Sequence, residues 1–393
     1  MKRYCLLFTL LITTILGNAQ IVNIPDTNFK DALLNHNPPI DTNDDGEIQI
    51  SEAEVVIGLD LNWQSIYSLD GIQNFINIEV LECDNNELTS IDLSQNINLE
   101  IIKCRFNQIS SLEVLNNPKL KKLECGYNEL TNLDITQNPL LEWVVCAENQ
   151  IENLNISQNP NLYWLSCHSN ELVSLDISQN PNLEILACHD NNIEALDTTN
   201  NIILKELYCS NNQISELDVS LNPNLEALNC RFNNINNIDV SFNTILVYFK
   251  CDNNQLINLN AKNGNNIIMY AFDSYNNPNL NCIQVDDIDF ANIAEGWNKD
   301  ETAIYSEVCK LATEDNTLLK IALYPNPAED ILYLFNESTA EVTSIKVYDS
   351  LGKLVLEQDN PSTQIDITSL SPGLFFAHIE NGNDSLVKKV IKE

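Results

Sequence analysis

The stretch Leu162-Tyr163-Trp164-Leu165-Ser166-Cys167-His168-Ser169-Asn170-Glu171-Leu172-Val173-Ser174-Leu175-Asp176-Ile177-Ser178-Gln179-Asn180-Pro181-Asn182 returns along the chain, with substitutions, every 21 residues. Nine cysteines mark the sixth position of the frame: Cys83, Cys104, Cys125, Cys146, Cys167, Cys188, Cys209, Cys230 and Cys251. A fixed period of this length signals a solenoid, in which each coil buries its apolar face only by stacking on its neighbours. Leu165 and Cys167 sit two residues apart, the alternation of a short strand with one buried face. Equivalent strands of eleven coils would pair into one sheet roughly 50 Å long at about 4.8 Å per strand.

Numbered from the first apolar residue of the frame, the coils begin at Val56, Ile78, Leu99, Leu120, Leu141, Leu162, Leu183, Leu204, Leu225 and Leu246, with a degenerate eleventh at Ile267. The ninth position is Asn from Asn86 to Asn254, a side chain whose donor and acceptor can both satisfy backbone that turns inside the coil. A second series, Asn96 through Asn243, is usually followed by Pro and marks the turn back toward the next strand. The frame strongly resembles the leucine-rich repeat family over residues 56 to about 280, with Cys where that family more often has Leu. The resemblance implies a mainly β leucine-rich repeat solenoid of about 11 short coils, residues 56–281. A coil this short leaves turns or extended segments opposite the sheet. Parallel strands hold neighbouring Cβ atoms about a strand spacing apart, beyond the ~3.8 Å that a disulfide prefers, so the nine cysteines are expected as buried free thiols.

Both ends of the ladder carry different material. Residues 1–19 have the pattern of an export signal: Lys2 and Arg3, an apolar run from Leu6 to Leu16, then Gly17-Asn18-Ala19. In the N-terminal cap, residues 20–55, Pro25 and Asp26 precede a helical pattern through Phe29, Ala32, Leu33 and Leu34. Next, Asp41, Asn43, Asp45, the backbone carbonyl of Glu47, Gln49 and Glu52 fall on the positions that place oxygens around calcium, with Gly46 at the sharp turn. The stretch resembles an EF-hand or dockerin-type loop, in a single copy, and calcium is the cofactor it implies.

Beyond the last regular coil, Cys282 and Cys309 break the period and flank an insert containing Trp297. Exported chains close such ends with disulfides, so residues 282–309 are expected as a disulfide-closed C-terminal cap. Residues 310–317 are polar and suit a linker. From 318 to 393 short alternating strands predict a small β-sandwich. Tyr324-Pro325-Asn326-Pro327, Tyr348-Asp349-Ser350-Leu351-Gly352-Lys353, Leu370-Ser371-Pro372-Gly373-Leu374-Phe375-Phe376 and Lys388-Lys389-Val390-Ile391-Lys392 together resemble the C-terminal sorting domain of type IX secretion, with Phe375 where that family often has Tyr. The resemblance implies a Bacteroidetes-type source, outer-membrane passage through the type IX machinery, and a secreted or cell-surface destination.

The formal charge of −36, or −38 without Lys2 and Arg3, excludes nucleic acid and anionic lipid as natural partners. Beyond the signal, no stretch is apolar for long enough to span a membrane. Positions 2, 3, 5, 7 and 8 are expected on the concave solvent face, where solenoids commonly bind. Aromatic residues gather there in the central coils: Trp143, Tyr163, Trp164, His168, His189 and Tyr208, beside Glu148 and Asp190. Such a patch suits recognition of a protein or glycan. His168 and His189 occupy equivalent places in adjacent coils and could share a metal with Glu148 or Asp190. The Asp series at position 15 suits backbone bonding at a turn. No nucleophile elbow, zinc-protease or phosphate-loop motif is present and no insertion interrupts the coils, so catalysis is not expected. The sequence therefore describes an exported binding protein, with a structural spacer as the alternative.

Overall fold

The computed structural model describes residues 20–309, 321–336, 342–349, 352–361, 363–380 and 385–393. The chain forms two compact units, one ending at Cys309 and one beginning at Lys310. The export-signal pattern and the linker lie outside the described residues.

In the first unit the repeat frame becomes a parallel sheet of twelve strands in sequence order, from Gly58–Asp60 to Trp297–Asn298. Register follows the frame: Trp143 pairs with Trp164 and Trp164 with Ile185, and the apolar fourth position stays on the inner side. Position 4 and the nine cysteines form the core, with every cysteine buried and unbonded. Burial pushes all nine thiols well above the ordinary thiol value, Cys146 and Cys188 to about 12.

The two asparagine series have separate tasks. At position 9, Asn170 accepts from the backbone N–H of Ile151 at 2.9 Å and donates to the carbonyls of Cys146, Cys167 and His168 at 3.1–3.2 Å. In the second series, Asn180 donates to the carbonyls of Ile156 and Asn159 at 3.0 and 2.9 Å, while its own buried Oδ1 has no partner. Asn222 differs from its equivalents because Thr198 supplies a hydroxyl to its Oδ1 at 2.7 Å. At position 15, Asp134 and Asp176 accept from backbone N–H groups two residues on. Their carboxyls are held below the ordinary range by the hydroxyl and backbone donors of Thr136 and Ser178.

Opposite the sheet the chain is extended or turning, and short strands pair where coils align closely: Ser90–Ile91 with Ser111–Leu112, then Asn237–Asp239, Asn258–Asn260, Cys282–Gln284 and Ile304–Ser306 as a second sheet.

Two expectations at the C-terminal end need correction. The eleventh coil is in register from Met269, since Ala271 pairs with Tyr248 and Phe272 with Phe249. Ile267 lies in a short 3-10 turn, 75% exposed, while Met269 is buried. The cap after it is itself a twelfth coil, in which Trp297 pairs with Phe272 and sits edge-on to Phe272, Phe290 and Tyr305. Its indole N–H donates to the Met269 carbonyl at 2.8 Å. The Cys282–Cys309 disulfide closes this coil across a separation of 27 residues, worth about 3.5 kcal/mol on the chain-entropy view.

At the other end Asp26 caps the helix Thr27–Leu34 and also accepts from the N–H groups of Tyr67 and Ser68 at 2.7 and 2.9 Å, which ties the cap to the first coil.

The second unit has an antiparallel three-stranded sheet, in the order Ile321–Tyr324, Ile331–Asn336, Gln364–Asp366, and an antiparallel four-stranded sheet, Leu354–Asp359, Ser344–Asp349, Gly373–Glu380, Ser385–Lys392. Leu332, Leu334 and Ile365 of the first share a core with Ile345, Ala377, Ile379 and Val390 of the second. Asn326 explains part of the Tyr-Pro-Asn-Pro motif, donating to the Lys389 carbonyl at 2.7 Å and accepting from the Ile391 N–H at 2.8 Å. Phe375 is buried, a place where a hydroxyl would need a partner.

Candidate functional site

The outward positions of the twelve-stranded sheet divide into three zones. Toward the N-terminal end Lys103 pairs with Glu82 at 2.6 Å, Arg105 with Asp84 at 2.6 Å and with Glu124 at 3.2 Å, and Lys122 with Glu124 at 2.8 Å. Toward the C-terminal end Arg231 pairs with Asp252 and Lys250 with Asp273, both at 2.9 Å. Between Glu124 and Arg231, Lys205 pairs with Glu184 at 2.7 Å at position 2, just ahead of the strands; among the described residues no other Lys or Arg in this stretch pairs with a carboxylate, and the aromatic residues expected from the sequence fall here.

Trp143 and Trp164 lie face to face, centroids 4.1 Å apart and planes 13° from parallel, with Tyr163 edge-on to Trp143 at 5.9 Å. Lys122 covers the Trp143 ring at 4.6 Å. Both indole N–H groups are shielded from solvent and lack an acceptor. Further along the strands His168 and His189 stack at 4.2 Å. Burial, and then the neighbouring His189, lower the His168 pKa. His189 Nδ1 lies 2.6 Å from Asp190 Oδ2. Tyr208 donates to Glu206 at 2.8 Å, and its hydroxyl pKa is raised chiefly by burial. The expected patch is thus two groups, a tryptophan–tyrosine cluster and a histidine stack, and no ring contact joins them. The stacked histidines have no third ligand: among the described residues no three His, Cys, Asp or Glu side chains are placed to hold a metal ion.

The calcium-pattern loop carries its oxygens on one tight turn. Asp41 Oδ2 accepts from the Gly46 N–H at 2.9 Å, Asn43 Oδ1 from Asp45 N–H at 2.9 Å, and Asp45 Oδ1 from Glu47 N–H at 2.9 Å. Gln49 Nε2 donates to both oxygens of Asp45. Glu52 is buried with no cationic partner; its Oε1 accepts from the Thr42 N–H and hydroxyl at 2.7 Å and its Oε2 from the Gln49 N–H at 3.0 Å. Burial works to raise its carboxyl pKa, but these donors outweigh it and the net shift is downward. Asp41 Oδ1 is buried and has no partner, the kind of orphan a cation would meet. Ile48, buried, anchors the loop to the cap.

The eighth-position column is on the solvent face as the frame implies, but its backbone conformation is not legible in the residues. From Asn85 to Asn253 every eighth residue is left-handed, with φ between 52° and 59°, because the chain leaves the sheet there. Asn and Asp tolerate this conformation and bulky side chains resist it. Phe106, Tyr127 and Phe232 nevertheless occupy it, each about 45% exposed, and Phe106 stacks on Tyr127 at 4.3 Å. Trp63, eighth in the first coil, is left-handed and 75% exposed. The frame counted from Val56 would have found it.

Residues 322–393 match the protein-family model described as the secretion system C-terminal sorting domain, a tail that directs export through type IX secretion. Among solved structures, the chain is similar to the functional domain of InlJ from Listeria monocytogenes, described as including a cysteine ladder: 24% identity, 95% of this chain and 98% of that one, TM-score 0.56. It is also similar to a leucine-rich repeat protein of Leptospira interrogans, with 18% identity over 65% of this chain and 74% of that one and a TM-score of 0.50. These likenesses show the leucine-rich repeat solenoid fold. No curated protein matches. Among the described residues, no helix is long and apolar enough to cross a membrane.

Proposed function

We propose that this chain is an exported, surface-displayed or released binding protein whose solvent-facing sheet, centred on Trp143 and Trp164, recognises a protein partner. The observation that carries the reading is the stacked Trp143–Trp164 pair with Tyr163 on the solvent-facing positions between two zones of ion pairs, apolar area of the kind that partner proteins bury. A glycan suits it less. Sugars stack on free aromatic faces, whereas Trp143 and Trp164 cover each other and Lys122 covers the outer face of the pair.

Trp143→Ala with Trp164→Ala should weaken binding to a panel of extracellular proteins by roughly thirtyfold or more, the size of a hot-spot loss, and a glycan array should stay blank with either protein. Protein binding that survives the double change rejects the patch. Binding by neither protein to any probe favours the spacer alternative.

The carboxylates of Asp41, Asp45 and Glu52 are not gathered about one point in this structure, and the N-terminal loop is proposed to close on calcium, held by Asp41, Asn43, Asp45, the Glu47 carbonyl, Gln49 and Glu52. Calcium there would supply the charge that Glu52 and the orphaned Asp41 oxygen lack, and stiffen the first edge of the solenoid. At calcium a hundredfold above Kd the stabilisation is about 2.7 kcal/mol. Glu52 also holds Thr42 and Gln49 by hydrogen bonds, so Glu52→Ala lowers stability in chelator as well. The readout is therefore the rise in Tm on adding calcium, expected in the native chain and lost in Glu52→Ala. An equal rise in both rejects the site.

A further inference from the structure

Six of the eight carboxylates on the outward positions 3, 5 and 7 have a partner side chain, and a seventh, Asp300 of the twelfth coil, accepts from the backbone N–H groups of Asn276 and Asn277 at 2.9 and 2.8 Å. Glu82, Asp84, Glu124, Asp252 and Asp273 each meet a Lys or Arg, and Glu206 meets the Tyr208 hydroxyl. Asp60 is the eighth. One of its oxygens accepts from the Asn62 N–H at 3.2 Å and no cation reaches it. Its register neighbour is Glu82, a like charge on the next strand, and the one lysine in the adjoining coils that could bridge them, Lys103, is committed to Glu82. Two carboxylates side by side repel, so the ladder of pairs stops one cation short at its first rung.

A cavity of about 530 Å³ opens at that rung, a volume typical of ligand sites, roughly 300–1,000 Å³. The cap segment from His36 to Ile40 lines it, together with Asp60, Glu82 and Glu52. The walls are apolar, including Pro38, Pro39, Val56, Ile57 and Val80, and no Lys or Arg lines it. Both nitrogens of His36 are engaged, Nδ1 with the Pro38 carbonyl at 3.0 Å and Nε2 with the Asp60 N–H at 3.3 Å. Position 3 of the first coil is Gly58, which lines this space and leaves its rung open where the register-matched residues of the next coils are Val80, Ile101, Lys122 and Trp143. A Cβ at Gly58 would meet nothing nearer than Val80 Cβ at 3.8 Å.

We propose that this cavity binds the side chain of a lysine or arginine presented by a partner protein, the aliphatic stem lying along the proline and valine walls and the cationic head completing the ion-pair ladder at Asp60. Charge and shape agree on this occupant: a carboxylate, Asp60, that meets no cation among the described residues, and apolar walls that suit an aliphatic stem. The site is independent of the tryptophan patch. Four strand steps in the sheet, about 19 Å, separate Gly58 from Trp143.

The test is saturation-transfer NMR on the full chain with Nα-acetyl-lysine methylamide and Nα-acetyl-arginine methylamide as probes and the neutral norleucine analogue as control. Saturation of the stem methylenes is expected for both cationic probes and at least tenfold less for norleucine. Asp60→Asn, which keeps the acceptor for Asn62, should reduce the signal at least fivefold, and Gly58→Val, a side chain already accommodated at Val80, should abolish it. Trp143→Ala with Trp164→Ala should leave it unchanged, so failure of the tryptophan reading and failure of this one are separable. Equal signals from norleucine, or full binding by either cavity variant, overturn the proposal. Spermidine binding more than tenfold tighter than both amino-acid probes overturns the protein-borne source, because the site would then be one for a free polyamine.

Discussion

Above about pH 9 the solenoid is expected to lose its folded structure within roughly one pH unit, and the cause is its cysteine core. An unfolded cysteine titrates near pH 8.5. In the folded chain burial pushes all nine thiols well above that, Cys146 and Cys188 to about 12. Because the folded pKa is the higher one and the ionised form is the thiolate, their stabilising contribution is fully present below pH 8.5. It is lost as pH rises from there toward the folded value, since the unfolded chain releases protons that the folded chain keeps. Each thiol then removes about 1.4 kcal/mol per pH unit, and nine together about 12 kcal/mol. That is comparable with the whole stability of an ordinary domain, about 5–15 kcal/mol.

Circular dichroism and thiolate absorbance followed together from pH 7 to 11 check this. The two should change at the same pH, with the urea midpoint falling steeply before them. Cys167→Ala should make that fall shallower by about one ninth while lowering stability at pH 7. Thiolate absorbance rising while the circular dichroism stays native would show that the ladder ionises in place, and would overturn its reading as dry packing.

The same ladder explains how much of the structure is legible in the residues. A strict 21-residue period transmits one decision to every coil: once Cys167 faces inward, Trp143 and Trp164 must face outward on adjacent strands, and they do. Legibility stops where the spacing changes. The inner residues Phe249, Phe272 and Trp297 are 23 and then 25 residues apart, which displaced the eleventh coil by two residues and hid the twelfth. Composition cannot show pairing either. That Lys103 reaches Glu82 while Asp60 goes without depends on which of two carboxylates one ammonium settles against. The rung beside Asp60 is left open by a missing side chain at Gly58, and absence within a frame is visible only when the frame is laid over the register. The aromatic residues of position 8 were visible, but their left-handed backbone was not, because no glycine announces it there.

Asn170→Ala should cost the solenoid about 4 kcal/mol, and Asn180→Ala about half as much, although both residues are nearly inaccessible asparagines in the same coil. The difference lies in what each leaves behind. Asn170 uses its acceptor on the Ile151 N–H and its amide on carbonyls of two coils, including Cys146 O and Cys167 O. Alanine there strands a backbone N–H and at least two carbonyls away from water, each worth roughly 1–3 kcal/mol when unmet, partly relieved by relaxation. Asn180 already carries an unmet Oδ1, so its removal strands two carbonyls but also removes an orphaned acceptor. Urea unfolding followed by circular dichroism measures both, with limited proteolysis to detect an opening confined to the neighbouring coils, since each coil contacts only its neighbours. A loss for Asn180→Ala equal to or larger than that for Asn170→Ala would mean that the orphaned oxygen is met by bound water, and that the second asparagine column supports the return turns as strongly as the first supports the sheet edge.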